Sequence, residues 1–414
     1  MQKKTNIHFT IPSNIWGVPI ALFAKNGVYW LILMLIFVFL FRLNPLFCFL
    51  GFVLSHLIFC CSPFFTVKAL VAKYERLRKS HYIETDIPFD KLEKDESTVI
   101  LKDGGLCRIY VLKDIANVPE KQQIFLWEKW FKSIAKSSKI SSLPFEKHQS
   151  SVKILTWRQK EQNNFENECF LILSVKKSPT MYDDMQKLCQ KTENILGLFQ
   201  PLLLSADTNI SPLLIFAEIT SPITPLYMIE SESKSISEQL SSNEIHMENK
   251  GVICFQQGKK CRYLSSVTVK KSAEMIDTKL IEDIQNIDAE CMFLHDIHVY
   301  NSKMSDIYVK QRKIFDFKNC IGRLNRYQQT NKLLEQGEVL VQMGISVFIW
   351  SNSKQELENT ENKIKSIYSS YNYEVVKNTN TDVATYMSLF PVSTTYPLKL
   401  NYLSGEAALL CYTK

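Results

Sequence analysis

The only close histidine pair in this 414-residue chain is His295-Asp-Ile-His298. Alternating apolar residues around it predict a strand, where positions i and i+3 point to opposite faces, so the pair cannot chelate one ion locally. Eleven cysteines are scattered without Cys-x-x-Cys spacing. Cys60-Cys61 falls in an apolar run, and Cys254 and Cys261 flank a predicted hairpin; reduced, mostly buried thiols are expected in place of a zinc site. Phosphate binding would need Gly-x4-Gly-Lys-Ser/Thr, whose backbone N–H groups cradle the phosphates. The nearest approach, Gly251 followed by Gly258-Lys259-Lys260, has the wrong spacing and lies between two strands. Neither a Gly-x-Ser-x-Gly elbow nor a His-Glu-x-x-His pair occurs. No catalytic residue, cofactor site or metal site is therefore expected.

The elements around these residues read as an α+β protein. Asp103-Gly104 between Val99-Ile-Leu and Leu106-Cys-Arg-Ile-Tyr-Val-Leu is a hairpin signal, because the turn needs positive φ. Pro119 opens a helix through about Lys136, with Ile124, Trp127, Trp130 or Phe131, and Ile134 on one face. Strands at 152–157 and 169–175 and a helix from about 182 to 199 complete a ββαββα order. A second hairpin (252–255 and 262–269), a helix at about 273–284 and a strand at 291–299 follow. Val339, Val341, Met343, Ile345, Val347 and Ile349 then alternate with period two. Ser353 and Glu356 stand at capping-box spacing before a helix, and Tyr373-Glu-Val-Val returns as a strand, a βαβ unit. Residues 305–334 predict a long polar helix with a short apolar seam at Ile314, Phe317, Ile321 and Leu324. The seam ends near Leu324 while the surface continues polar, so this helix is the candidate docking surface, with Arg323 and Arg326 off the seam.

The N-terminal part differs in composition. Val28–Phe41 and Leu46–Phe65 lack formal charge and are separated by Arg42-Leu-Asn-Pro45. By length and charge they predict a transmembrane helical hairpin, and Lys and Arg at its outer ends place both ends in the cytoplasm. The first 81 residues carry nine Lys or Arg against one acid, so of the overall +7 nearly none belongs to the remainder. This argues against direct nucleic-acid binding. The expected division is 1–82, membrane hairpin and basic juxtamembrane helix; 83–230, first cytosolic unit; 231–249, Ser-rich polar linker; and 250–414, second cytosolic unit. Both soluble units are expected to have split-βαβ, ferredoxin-like character.

Two stretches resemble known families. Ile11-Pro12, Ile15-Trp-Gly17-Val18-Pro19 and Ser62-Pro63-Phe-Phe resemble the short two-span inner-membrane subunit of type IV secretion machines. From about Ile87 the chain is similar to the N-terminal region of the CagE/TrbE/VirB secretion ATPases. The carrying segments are Val99–Ile109, including Gly104 and Arg108; Glu290–Ile297; and Gly337-Glu-Val-Leu-Val through Asp382–Pro391, ending in Phe390-Pro391. Members of that family continue into a RecA-like motor with Walker motifs. None follows Cys411–Lys414 here, so no ATP hydrolysis by this polypeptide is expected. The resemblance implies a structural and assembly component of a conjugation-type machine at the bacterial inner membrane. Its expected partners are the membrane, other secretion components including a motor ATPase domain, and further copies of itself. The alternative is a membrane-tethered cytosolic enzyme with an unrecognised site.

Overall fold

Long alternating strands such as Val339–Ile349 bury one face every second residue, and that periodicity fixes which side of a sheet each residue serves. The computed structural model describes residues 14–15, 18–19, 87–93, 97–137, 150–161, 164–205, 211–223, 240, 244–248, 251–273, 276–300, 332–377, 382–391 and 399–414. The chain divides into two compact units, 1–86 and 87–414.

In the first unit, β1 (Asn14–Ile15) pairs antiparallel with β2 (Val18–Pro19). Val18 and Pro19 of the membrane-subunit motif lie in β2, whereas Pro12, Gly17 and Pro63 lie outside the described residues. No helix among the described residues is long and apolar enough to cross a membrane. The transmembrane hairpin expected within 1–82 is corrected accordingly, and the multi-pass inner-membrane location that rested on it goes with it. The two apolar runs lie outside the described residues. Length and charge alone predict the span, and a buried apolar segment shares that pattern.

The second unit is α+β, built on one 13-stranded antiparallel sheet. Its first half contains β3 (Phe89–Leu92), β4 (Val99–Leu101), β5 (Leu106–Leu112), α1 (Glu120–Ser137), β6 (Ser150–Glu161), β7 (Asn164–Val175), α2 (Met181–Ile195), β8 (Pro201–Leu203) and α3 (Leu214–Thr220). Its second half contains β9 (Glu244–Glu248), β10 (Val252–Gln257), β11 (Lys260–Lys271), α4 (Thr278–Gln285), β12 (Cys291–Val299), β13 (Leu340–Ser351), α5 (Lys354–Ser370) and β14 (Glu374–Lys377). A C-terminal segment follows, with α6 (Asp382–Met387), β15 (Lys399–Leu403) and α7 (Ser404–Leu410).

The two halves repeat one topology. β5-α1-β6-β7-α2-β8 is a βαββαβ module with strand order β8-β5-β7-β6. β11-α4-β12-β13-α5-β14 is a second, with order β14-β11-β13-β12. Each is preceded by a hairpin strand, β4 or β10, which shares an edge of the first strand with the last strand of its module. Gly104 and Gly258 have positive φ in the two hairpin turns, +80° and +62°. The modules join edge to edge through β6 and β12, with Leu155 opposite Leu294.

This continuity departs from the expected division at 231–249. The sheet passes unbroken between the halves, and Glu244–Glu248 of the expected linker is itself an edge strand on β10. Ser231–Ser242 lies outside the described residues except Leu240, whose carbonyl accepts from the Thr220 and Ser221 hydroxyls.

Both faces of the sheet are covered. One face packs Val152, Ile154, Phe293, Ile297, Val341, Met343 and Val347 against α1, α2, α4, α5 and α7. On α1, Trp127, Trp130 and Phe131 are fully buried, as the helical spacing predicts. The other face carries an aromatic cluster in which Phe89 and Phe216 meet Phe390, and Tyr386 bridges Phe390 and Phe255. Trp157 stacks on Trp350 from β6 to β13.

Candidate functional site

The seam between β6 and β12 gathers the most unusual buried polar groups, and residues 382–391 and 399–414 hold it from both sides. Val152 and Ile154 point to the helices, so Lys153 between them points to the opposite face. Its register partner across the seam is Asp296. Both side chains are buried, at 1% exposure. Lys153 donates from Nζ to the Ser388 carbonyl at 2.5 Å. Asp296 meets Lys399 Nζ at 3.0 Å, an ion contact without hydrogen-bond alignment. Burial pushes the Lys153 ammonium down to about 8, against the attraction of Asp296. A lysine near neutrality can serve as a nucleophile, but here the Ser388 carbonyl occupies it and the sheet walls it in. The group fastens the C-terminal segment to the seam.

On the helical face the same segment is held through its backbone. Gln123 of α1 lies with Nε2 at 2.8 Å from the Thr413 carbonyl, and its Oε1 accepts from the Thr413 N–H at 3.1 Å. Gln285 of α4 donates to the Tyr412 carbonyl at 3.1 Å and accepts from the Lys414 N–H at 2.8 Å. Asn167 on β7 donates to the Lys414 carbonyl. Between the two faces the chain passes through the sheet as β15, which pairs with β13 over Leu340–Gly344. α7 then packs on α1, with Ala407, Ala408 and Leu410 in the core. Glu338 caps this turn: it accepts from Ser404 Oγ, the Gly405 N–H and Lys132 Nζ. Burial raises its carboxyl, but those three donors together outweigh burial and hold it below the usual range.

The residues singled out by sequence are dispersed. Gly104 takes its positive φ in the β4–β5 turn, where Asp103 Oδ1 accepts from the Gly105 N–H. Arg108 on β5 donates to Thr98 Oγ1 at 2.9 Å and reaches Cys189 Sγ at 3.8 Å. Phe390 and Pro391 are buried after α6, two and three residues beyond Ser388. Arg323 and Arg326 lie outside the described residues, and of the predicted docking helix only residues 332–335 are described, as helix. His295 and Asp296 face opposite sides of β12, and His295, buried with Nδ1 unpartnered, lines a small cavity with Tyr368 and Tyr373. Among the described residues no cluster of three His, Cys, Asp or Glu is disposed to hold a metal. Cys107, Cys169, Cys189, Cys254, Cys261, Cys291 and Cys411 are free thiols.

Sequence reasoning missed Lys153, Lys399, Gln123 and Gln285. A lysine in the centre of the apolar run Val-Lys-Ile-Leu was the available signal. The glutamines carried none, because their partners are backbone groups about 130 and 290 residues away. No protein-family model matches the chain, and no curated protein compared with it is similar.

Proposed function

We propose that residues 87–414 form an assembly platform of a type IV secretion (conjugation-type) machine, one that resembles the N-terminal region of the CagE/TrbE/VirB secretion ATPases and docks a motor ATPase domain. The observation that carries this reading is the doubly fastened seam. Lys153 and Asp296 on one face, and Gln123 and Gln285 on the other, commit the buried polar groups to holding two modules and the C-terminal segment as one body. A platform needs such a fixed frame, since docking loses affinity whenever binding must first order the surface. The motifs that suggested the family are used in the same way, Gly104 and Arg108 in one module and Phe390 in the aromatic layer between α3 and α6.

The test is co-purification of the full chain with a purified type IV secretion motor ATPase, together with calorimetry of the chain alone with Mg-ATP. The reading expects capture of the motor, self-association by light scattering, and no nucleotide binding by the chain. Micromolar ATP binding by the chain alone, or failure to capture the motor, overturns it.

A further inference from the structure

We infer that the outer face of α1 is the docking groove of this platform, and that its occupant is an acidic amphipathic helix carrying an apolar anchor. The inference rests on the platform reading for its biological setting, and on the following geometry for its chemistry.

A groove of about 420 Å³ opens along α1 and is lined by Phe125, Glu128, Lys129, Lys132, Lys136 and Ile195. Its inner turns are fixed, because Trp127, Trp130 and Phe131 on the opposite face of the helix are fully buried. The outer stripe is therefore presented rigidly. Phe125 is 59% exposed, although burying a phenyl ring is worth more than burying almost any other side chain. Ile195, the last residue of α2, is the groove's other apolar wall. Isolated exposed apolar residues are ordinary, but a ring that lines a concave surface beside a second apolar wall is what an anchor pocket looks like.

The charges select the occupant. Lys129 and Lys136, separated by seven residues, lie one above the other on the exposed face about 10 Å apart. Neither has an acidic partner among the described residues. Lys132 between them is neutralised by Glu128 at 2.5 Å and Glu338 at 2.7 Å. Lys191 donates to the Ser133 carbonyl from the α2 side, and burial followed by repulsion from Lys136 holds its ammonium below the usual lysine range. Among the described residues the groove thus offers two uncompensated cations, Lys129 and Lys136, on either side of a paired centre, with an apolar wall of Phe125 and Ile195. A helix laid along it would place acids against Lys129 and Lys136 and one large apolar side chain beside Phe125 and Ile195. From Phe125 to Lys136 the stripe is about 16 Å long, which a partner of about twelve helical residues would span. A nucleic-acid strand fits less well, since Glu128 lines the groove in the path of its phosphates and Lys132 is already paired with two carboxylates.

The test uses the full chain and fluorescein-labelled helical peptides of about twenty residues, one with Glu flanking a Leu stripe and one with Lys in place of Glu. Fluorescence anisotropy at low salt is expected to show micromolar binding of the acidic peptide alone. Lys129→Glu with Lys136→Glu is expected to weaken it at least about tenfold and to gain binding of the basic peptide. Phe125→Ser is expected to weaken it with the charges intact, while Lys187→Glu, on α2 outside the groove, leaves it unchanged. All four sites are exposed, so circular dichroism should be native in each variant. Absence of acidic-peptide binding, equal binding by the charge-reversed variant, or preferential binding of single-stranded DNA overturns the groove assignment. Capture of the motor separates the two readings. Motor captured equally by wild type and charge-reversed chain sinks the groove and spares the platform; acidic peptide bound with no motor captured does the reverse.

Discussion

Gln123 on α1 and Gln285 on α4 hold the backbone of residues 412–414 from opposite modules, each pairing a carbonyl and an N–H as a neighbouring strand would. Side-chain amides can do this because each carries both a donor and an acceptor. Gln123 also lies within hydrogen-bond distance of the Ile115 and Val118 carbonyls, at 2.7 and 2.9 Å. Gln123→Leu would leave the buried Thr413 N–H and the part-buried Val118 carbonyl without the Gln123 amide, each worth about 1–3 kcal/mol, while the Ile115 carbonyl keeps the Val118 N–H. Relaxation recovers part of that. Urea unfolding is expected to show a loss of about 3 kcal/mol, with a smaller loss, about 1–2 kcal/mol, for Gln285→Leu. A Gln123→Leu variant as stable as wild type would mean the C-terminal segment is not anchored there.

Lys153 makes a pH-dependent prediction whose sign is opposite to that of a paired lysine. Its folded value is about 8 and its ordinary value 10.5, so between these pH values the unfolded chain binds the extra proton. Stability therefore rises with pH across that window, and the penalty is fully present below pH 8. The span corresponds to about 3 kcal/mol. Lys153→Met fills the same space without the charge and should remove this rise, while at pH 7 it strips the Ser388 carbonyl of its donor and Asp296 of a nearby cation, so stability there should fall. Subtracting the two stability profiles cancels the tyrosines and cysteines that titrate nearby. A flat difference from pH 7 to 10.5 would show that Lys153 is not a buried cation.

Much of the second unit was legible because its strands alternate and its turns use marked residues. Asp103-Gly104 and Gln257-Gly258 located both hairpins, and Ser353 caps α5, with its Oγ accepting from the Glu356 N–H. Even there the capping box is incomplete, for the Glu356 carboxylate takes the Ser351 hydroxyl. The pairing of β6 with β12 was not legible. Register between distant strands depends on which faces are buried, and β6 buries both, so its pattern names no neighbour. The Ser-rich stretch at 231–242 looked like a boundary because composition reports local solvation and not the sheet beyond it. The seam was hidden for a related reason: Lys153 and Asp296 look like surface charges until the C-terminal segment covers them. The candidate docking face on α1 was half legible, since the apolar spacing of Trp127, Trp130 and Phe131 defines the opposite, outer face without saying what it binds.

His295 should dominate the acid side of the stability profile. Burial alone holds its imidazole down to about 4, well under the ordinary 6.5, with Nδ1 unpartnered against Phe293, Ile345 and Tyr368. Between pH 6.5 and 4 the unfolded chain takes up a proton that the folded chain refuses, so stability falls as pH falls through that window. The expected loss is about 3 kcal/mol. His295→Leu should flatten it, apart from the contribution of the carboxylates. Chemical denaturation at pH 7 and pH 4.5 checks this, and an equal acid loss in both proteins would assign the effect elsewhere.

Gln200 and Asn372 occupy the same place in the two modules, between the second helix and the last strand, and both have positive φ, +46° and +61°. They are the two described non-glycine residues in that region, and their agreement is independent of the strand pairings that define the repeat. The turn must reverse the chain within a few residues from α2 to β8 and from α5 to β14, and a left-handed residue ends a helix by such a turn. Asn tolerates this conformation better than Gln, because its short side chain can bond the local backbone. A β-branched residue tolerates it least. Gln200→Val and Asn372→Val are each expected to cost about 1–2 kcal/mol, whereas Asn372→Gly should stay within about 0.5 kcal/mol of wild type, relief of strain offsetting the added freedom of the unfolded chain. Both positions are exposed, so the losses report backbone conformation and not packing, apart from the exposed hydrogen bond that the Gln200 amide donates to Asp114. If the valine variants unfold at the wild-type urea midpoint, the turns are not left-handed and the equivalence of the two modules does not extend to these connections.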